Sequence, residues 1–140
     1  MIIPLDQHFA VAPQITPADV TDIARAGYKG IINNRPEGEE PDQPEGEAIR
    51  RVAETLGLRY AEIPVTHAGF AHPQLDAMTA AMADGPVLAF CRSGTRSCML
   101  WALASAKAGA EPAELFKKAA AAGYDLSPVA GMMQALAGGH

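Results

Sequence analysis

Gly85-Pro86-Val87-Leu88-Ala89-Phe90-Cys91-Arg92-Ser93-Gly94-Thr95-Arg96-Ser97-Cys98-Met99-Leu100-Trp101-Ala102-Leu103-Ala104 is the stretch that decides the fold. It opens on a turn signal, Gly85-Pro86, and continues as a short apolar run that reads as a buried strand. It closes on a helix-forming segment from Cys98 to Ala104, apolar enough to lie in a core. Strand, tight polar loop and helix follow one another without a spare residue. Backbone N–H groups of such a loop, with those of the first helical turn, point at one spot, where the helix dipole favours negative charge. The cradle is therefore assigned to Arg92, Ser93, Gly94, Thr95, Arg96 and Ser97. Gly94 suits a position of positive φ or close backbone approach. The same field, with Arg92 and Arg96 beside it, favours the thiolate of Cys91 and so marks a nucleophile. A lone cysteine at a strand end is otherwise a small buried hydrophobe; here the two arginines, the glycine and the hydroxyls around it point to catalysis.

Outward from this segment the chain alternates between strand and helix signals. His8 to Ala12 reads as an edge strand. Thr16-Pro17-Ala18-Asp19 starts a helix that runs to Ala26 and stops at Gly27. Lys29 to Asn33 is a second strand, and Asn34 to Pro44 a solvated loop rich in proline, glycine and acids. Glu45 to Leu56 returns to helical period, with Ile49, Val52, Ala53 and Leu56 on one face. Arg59 to Val65 is a third strand. His72-Pro73 opens a helix that carries Leu75, Met78 and Met82 inward and ends at Asp84-Gly85. Glu111-Pro112 and Ser127-Pro128 each start a further helix, the first ending near Gly123. Strands alternating with helices predict an α/β fold, a mostly parallel sheet with helices on both faces. In such sheets ligands bind outside the carboxyl ends of the strands, where Cys91 stands.

With 140 residues, the chain is long enough for one domain with its own core and too short for two ordinary ones. Its 49% apolar and 19% charged residues are those of a globular protein. A net charge of −5 argues against general nucleic-acid binding. No apolar run approaches the length of a membrane span, and Met1 to Asp6 shows no secretory signal. Two cysteines seven positions apart are no disulfide scaffold, so the expected compartment is the reducing cytoplasm. Cys98 is expected as a packed core thiol, with a resolving role toward Cys91 as the alternative. Arg35 could reach the pocket from a strand end, although a surface arginine is the plainer reading. The acids from Glu37 to Glu47 read as a solvated face. His8, His67, His72 and His140 have no metal-ligand spacing, so neither metal nor cofactor is expected.

Several of these pieces together resemble the cysteine-dependent phosphatase superfamily. The nearest resemblance is to the phosphatase-like domain of bacterial beta-lactamase-hydrolase-like proteins. Ala26 to Pro36 is similar to the strand and loop in the first half of dual-specificity phosphatases. Tyr60 to Gly69 is similar to the strand leading into their general-acid loop, and Pro86 to Cys91 to the strand that delivers their nucleophile. The resemblance covers roughly residues 8 to 108. It implies a tyrosine-phosphatase-like fold over residues 1–140, with 109–140 as C-terminal helices. It also implies Cys91 as nucleophile and Arg96 as the anion-binding arginine. Three departures stand out. Cys91 and Arg96 have four residues between them where true tyrosine phosphatases have five; Phe90 replaces the usual histidine; and His67 stands where the general-acid aspartate aligns. The short loop also resembles the active loop of rhodaneses, which move sulfane sulfur.

Three functions compete for these residues. In the first, a phosphatase-like hydrolase, Cys91 attacks a small phosphate-type substrate, and Arg96 with the loop amides holds the anion. His67 protonates the leaving group, and Ser97 bonds the thiolate or helps expel it. In the second, a sulfurtransferase or persulfide carrier, Cys91 holds a sulfane sulfur and hands it to a thiol acceptor. The third is a non-catalytic anion-binding module. An unused activated thiol would be an oxidation liability there. The first is preferred on the breadth of the resemblance. The expected partner is a small anion or a thiol, with no nucleic acid and no membrane.

Overall fold

A computed structural model describes residues 1–139; His140, one of the four histidines considered for metal binding, lies outside the described residues. Among the described residues five strands form one sheet: β1 (Ile3–Pro4), β2 (Phe9–Ala12), β3 (Gly30–Asn33), β4 (Arg59–Glu62) and β5 (Val87–Phe90). Their order is β1-β2-β5-β3-β4, with only β1 antiparallel to its neighbour. β2, β3 and β5 are buried throughout, as strands covered on both faces must be. The expectation of an edge strand at His8–Ala12 is corrected. β1 pairs Ile3 with Val11 and Pro4 with Ala10, so β2 lies inside the sheet. β4 is the edge opposite β1, with exposed charges at both ends, Arg59 and Glu62, flanking half-buried Tyr60 and Ala61.

Alternate strand residues feed two cores. Ala10, Ala12, Ile31, Leu88 and Phe90 point to the face covered by α1 (Asp19–Arg25) and α2 (Gly46–Thr55), through Val20, Ile23, Ile49 and Ala53. Phe9, Val11, Ile32, Val87 and Ala89 point to the other face. There α3 (His72–Ala81), α4 (Thr95–Lys107), α5 (Pro112–Ala121) and α6 (Ala130–Gly138) pack. Between α5 and α6 a single turn of 3-10 helix spans Ser127–Val129, so the start signal at Ser127-Pro128 produces a tighter turn first. Trp101 of α4 stacks on Phe9 with ring centroids 5.9 Å apart and planes 18° apart. Burying side chains of this size contributes about 1.5–3 kcal/mol each.

Local rules explain most boundaries. Thr16 N–H donates to Asp19 Oδ2 (2.8 Å) and Asp19 N–H to Thr16 Oγ1 (3.4 Å), a reciprocal cap just ahead of α1. Leu56, placed by its period on the inner face of α2, is instead 43% exposed, because it caps the helix where the chain turns at Gly57. Met82 is only partly buried past the end of α3. α4 carries eight buried residues, an unusually enclosed helix, and its N-terminus faces the carboxyl end of the central strand β5. Among the described residues no helix is long and apolar enough to cross a membrane.

Candidate active site

The loop from Cys91 to Gly94 is tied to both neighbours of β5. Cys91 N–H donates to Ala12 O (3.4 Å), Gln14 N–H to Arg92 O (3.2 Å), and Asn34 N–H to Phe90 O (2.9 Å). Cys91 is fully buried, a free thiol at the floor of the loop rather than a member of either apolar cluster. Gly94 caps α4 with φ +91°, a conformation that side-chain-bearing residues rarely adopt. Its N–H donates to Cys91 Sγ (3.1 Å), and Thr95 N–H to Ser93 Oγ (3.4 Å). The N–H groups of Arg92, Ser93, Arg96 and Ser97 have no acceptor among the described residues. Four unspent donors, in the loop and the first turn of α4 with a sulfur beneath them, form an arrangement that can accept an anion.

Arg96 is held by one edge and open on the other. Its Nη1 and Nη2 donate to Glu39 Oε2 and Oε1 (2.7 and 2.8 Å), the end-on fork of the guanidinium. The second Nη1 hydrogen goes to Val65 O (2.8 Å). That leaves Nε–H and the remaining Nη2 hydrogen, the side-on fork, with no oxygen acceptor among the described residues and with the Cys91 thiol as their neighbour. A fork of this kind matches two oxygens of a tetrahedral anion. The Glu39 hydrogen bond, and after it the charge of Cys91, raise the pKa of Arg96 against the opposing effect of burial. In return, Glu39 is held down to about 2, chiefly by its bond to Arg96 and also by Arg35.

Glu39 corrects the reading of the Asn34–Pro44 loop as merely solvated. Arg35, whose plainer reading was a surface residue, is buried and donates to Glu39 (2.9 Å), Glu40 (2.5 Å) and Gln14 (3.0 Å). Glu40 also pairs with Arg92 Nε at 3.1 Å. The loop thus folds its two central acids against the arginines, while Glu37 accepts from Gly46 N–H and Glu47 pairs with Arg50 and Arg51 on the surface. Charge runs alone do not reveal this. Arg35 needs acids beside it because it is buried, and no local feature of the sequence announces that burial.

A cavity of about 450 Å³ lies above the loop, lined by Arg35, Glu39, Glu40, Thr66, His67, Arg92, Ser93 and Arg96. His67 is exposed on its rim, so the loop after β4 does reach the site. The Arg92 side chain is 70% exposed, and what it can offer inside the loop is its backbone N–H. Ser97 is fully buried, and its Oγ has no hydrogen-bond partner among the described residues, Cys91 Sγ included. The expected Ser97–Cys91 bond is therefore not made in this structure. Cys98 packs in the α3–α6 core, and burial, with Cys91 adding, pushes its thiol up to about 12. That environment suits the packed-thiol reading and not a resolving cysteine.

The family model for the phosphatase-like domain of beta-lactamase hydrolase-like proteins matches residues 3–108. The chain belongs to this family. The beta-lactamase hydrolase-like protein of Xylella fastidiosa (strain Temecula1) is 38% identical over 104 residues, 73% of this chain and 24% of that protein. The chain thus spans about a quarter of the length of the curated relatives it matches. A crystal structure of a candidate phosphatase from Neisseria meningitidis Z2491 is 35% identical, with a TM-score of 0.81 over 96% of this chain and 97% of that one. PTPMT1, at 12% identity and a TM-score of 0.72 over 99% of this chain and 97% of its own, shares the fold. The resemblance read from the sequence and the tyrosine-phosphatase-like α/β fold both hold.

Proposed function

We propose that this family member is a cysteine-dependent hydrolase of a small phosphate-type anion. Cys91 Sγ attacks phosphorus, the bond from phosphorus to the leaving oxygen breaks, and a phosphocysteine forms. The side-on fork of Arg96 and the N–H groups of Arg92, Ser93, Arg96 and Ser97 hold the equatorial oxygens as charge develops on them. His67 on the rim gives the leaving oxygen its proton. Of the carboxylates lining the cavity, Glu39 is ionised at neutral pH and cannot do so. Water then attacks the phosphocysteine, releasing phosphate and restoring the thiolate. The observation that carries this reading is the convergence of unspent donors, backbone and guanidinium, around one buried thiol.

One observation favours sulfur transfer as a second reading. The Cys91–Arg96 loop is a residue shorter than a phosphatase's, and it already directs Gly94 N–H at the sulfur. In that reaction Cys91 attacks the sulfane sulfur of thiosulfate, sulfite leaves, and an acceptor thiolate takes the sulfur from the persulfide. Paired assays separate the two: an aryl phosphate, and thiosulfate with a thiol acceptor, each on wild type and Cys91→Ser. Phosphate release that Cys91→Ser abolishes supports the hydrolase. Thiocysteine formation without phosphate release replaces it with the second reading.

A further inference from the structure

Tyr124 stands beyond the residues matched by the family model, in the turn after α5, yet it touches the loop. Its Oη donates to Ser93 O at 3.0 Å. A Cβ added at Gly94 would lie 2.2 Å from Tyr124 Oη. The ring is half-buried against the α3–α6 core, which fixes where the hydroxyl stands. Ser93 and Gly94 are joined by a trans peptide, in which C=O and N–H point in opposite directions. The outward face of that one peptide plane is bound by Tyr124, and its inward face donates from Gly94 N–H to Cys91 Sγ at 3.1 Å. If the plane rotated, a carbonyl oxygen would replace the donor beside the sulfur. Burial raises the pKa of Tyr124, with Cys98 and Cys91 adding, so the hydroxyl keeps its proton and stays a donor at neutral pH.

We propose that Tyr124 is a positioning residue that locks the Ser93–Gly94 peptide with its N–H toward Cys91, and so sets the reactivity of the thiol and the anion affinity of the loop. The inference rests on the anion-cradle reading of the loop and is indifferent to whether phosphorus or sulfur is attacked. It explains why glycine occupies position 94 beyond the demand of positive φ: no side chain fits between this peptide and the tyrosine. It also gives the C-terminal segment a role at the site.

Tyr124→Phe removes one oxygen and keeps the ring in the core, and a thermal melt confirms that the variant is folded. Iodoacetamide alkylation of Cys91, followed by intact mass across a range of pH, reads the thiolate. Protection of Cys91 by added inorganic phosphate reads the cradle. Relative to wild type, Tyr124→Phe should slow alkylation at neutral pH about fivefold and shift its pH profile upward, and the phosphate needed for half-protection should rise about fivefold, the weight of one neutral hydrogen bond. A lower melting temperature with alkylation and protection unchanged would overturn the inference and leave Tyr124 a packing residue. If wild-type Cys91 reacts no faster than a free cysteine and phosphate does not protect it, the cradle reading itself fails, and the inference with it.

Discussion

Glu39→Gln is the substitution whose consequence the structure fixes most fully. The glutamate accepts from Arg35 and twice from Arg96, and its carboxyl is held at about 2 against an ordinary 4.5. Each unit of such a shift corresponds to about 1.4 kcal/mol, which sets a ceiling of about 3 kcal/mol on what the ionised form contributes to folding. The side chain is 27% exposed and the residue lies on the surface loop, so solvent screening lowers the expectation to about 1–2 kcal/mol. The amide keeps one acceptor but turns its NH2 against a guanidinium, leaving Arg96 without its end-on fork. Because the folded value is depressed, the contribution is complete above about pH 4.5 and is lost as pH falls through about 2. Urea unfolding of wild type and Glu39→Gln should therefore differ by about 1–2 kcal/mol at pH 7, and the gap should shrink to a small remainder at pH 2. No gap at pH 7, or one that persists undiminished at pH 2, would refute the assignment of Glu39 as the acid that holds Arg96.

Other expectations follow from the same geometry. Arg96→Lys should lower aryl-phosphate turnover by about a hundredfold, since lysine cannot supply a fork, while Arg92→Lys, which leaves the backbone donor in place, should cost less than about threefold. Comparable losses in steady-state rate for both would contradict the geometry. His67→Ala should leave the rate on an aryl phosphate nearly unchanged and lower that on an alkyl phosphate by about a hundredfold, since only the poorer leaving group needs the proton. Equal rates for the variant and wild type on the alkyl substrate would remove His67 from the mechanism. Cys98→Ala should leave Cys91 alkylation unchanged and cost about 1 kcal/mol in urea unfolding, as for a small buried hydrophobe.

The sheet and the nucleophile loop were legible because their signals are local. An apolar run, a glycine at positive φ and a buried helix announce themselves within twenty residues, and the spacing of Pro and Gly set most helix ends. β2 was misplaced as an edge because what covers it is a two-residue strand at Ile3–Pro4, too short to leave a periodic pattern. Glu39 and Tyr124 were missed for a different reason. Glu39 lies 57 residues from Arg96 and Tyr124 lies 31 from Ser93, and neither sits on a periodic face. Their roles come from the sheet order, which brings the loop after β3 and the turn after α5 to the carboxyl end of β5. Ser97 was expected to bond the Cys91 thiolate or help expel it, and the bond is not made, because the first turn of α4 buries its hydroxyl without a partner.

In the proposed reaction Cys91 itself takes the transferred group. Rapid acid quench of the protein with an aryl phosphate, followed by intact mass and peptide mapping, tests it most directly. A transient adduct of one phosphoryl group should appear on Cys91, be absent from Cys91→Ser, and decay at the rate of phosphate release. Phosphate release by Cys91→Ser at the wild-type rate, or an adduct on any other residue, would contradict it.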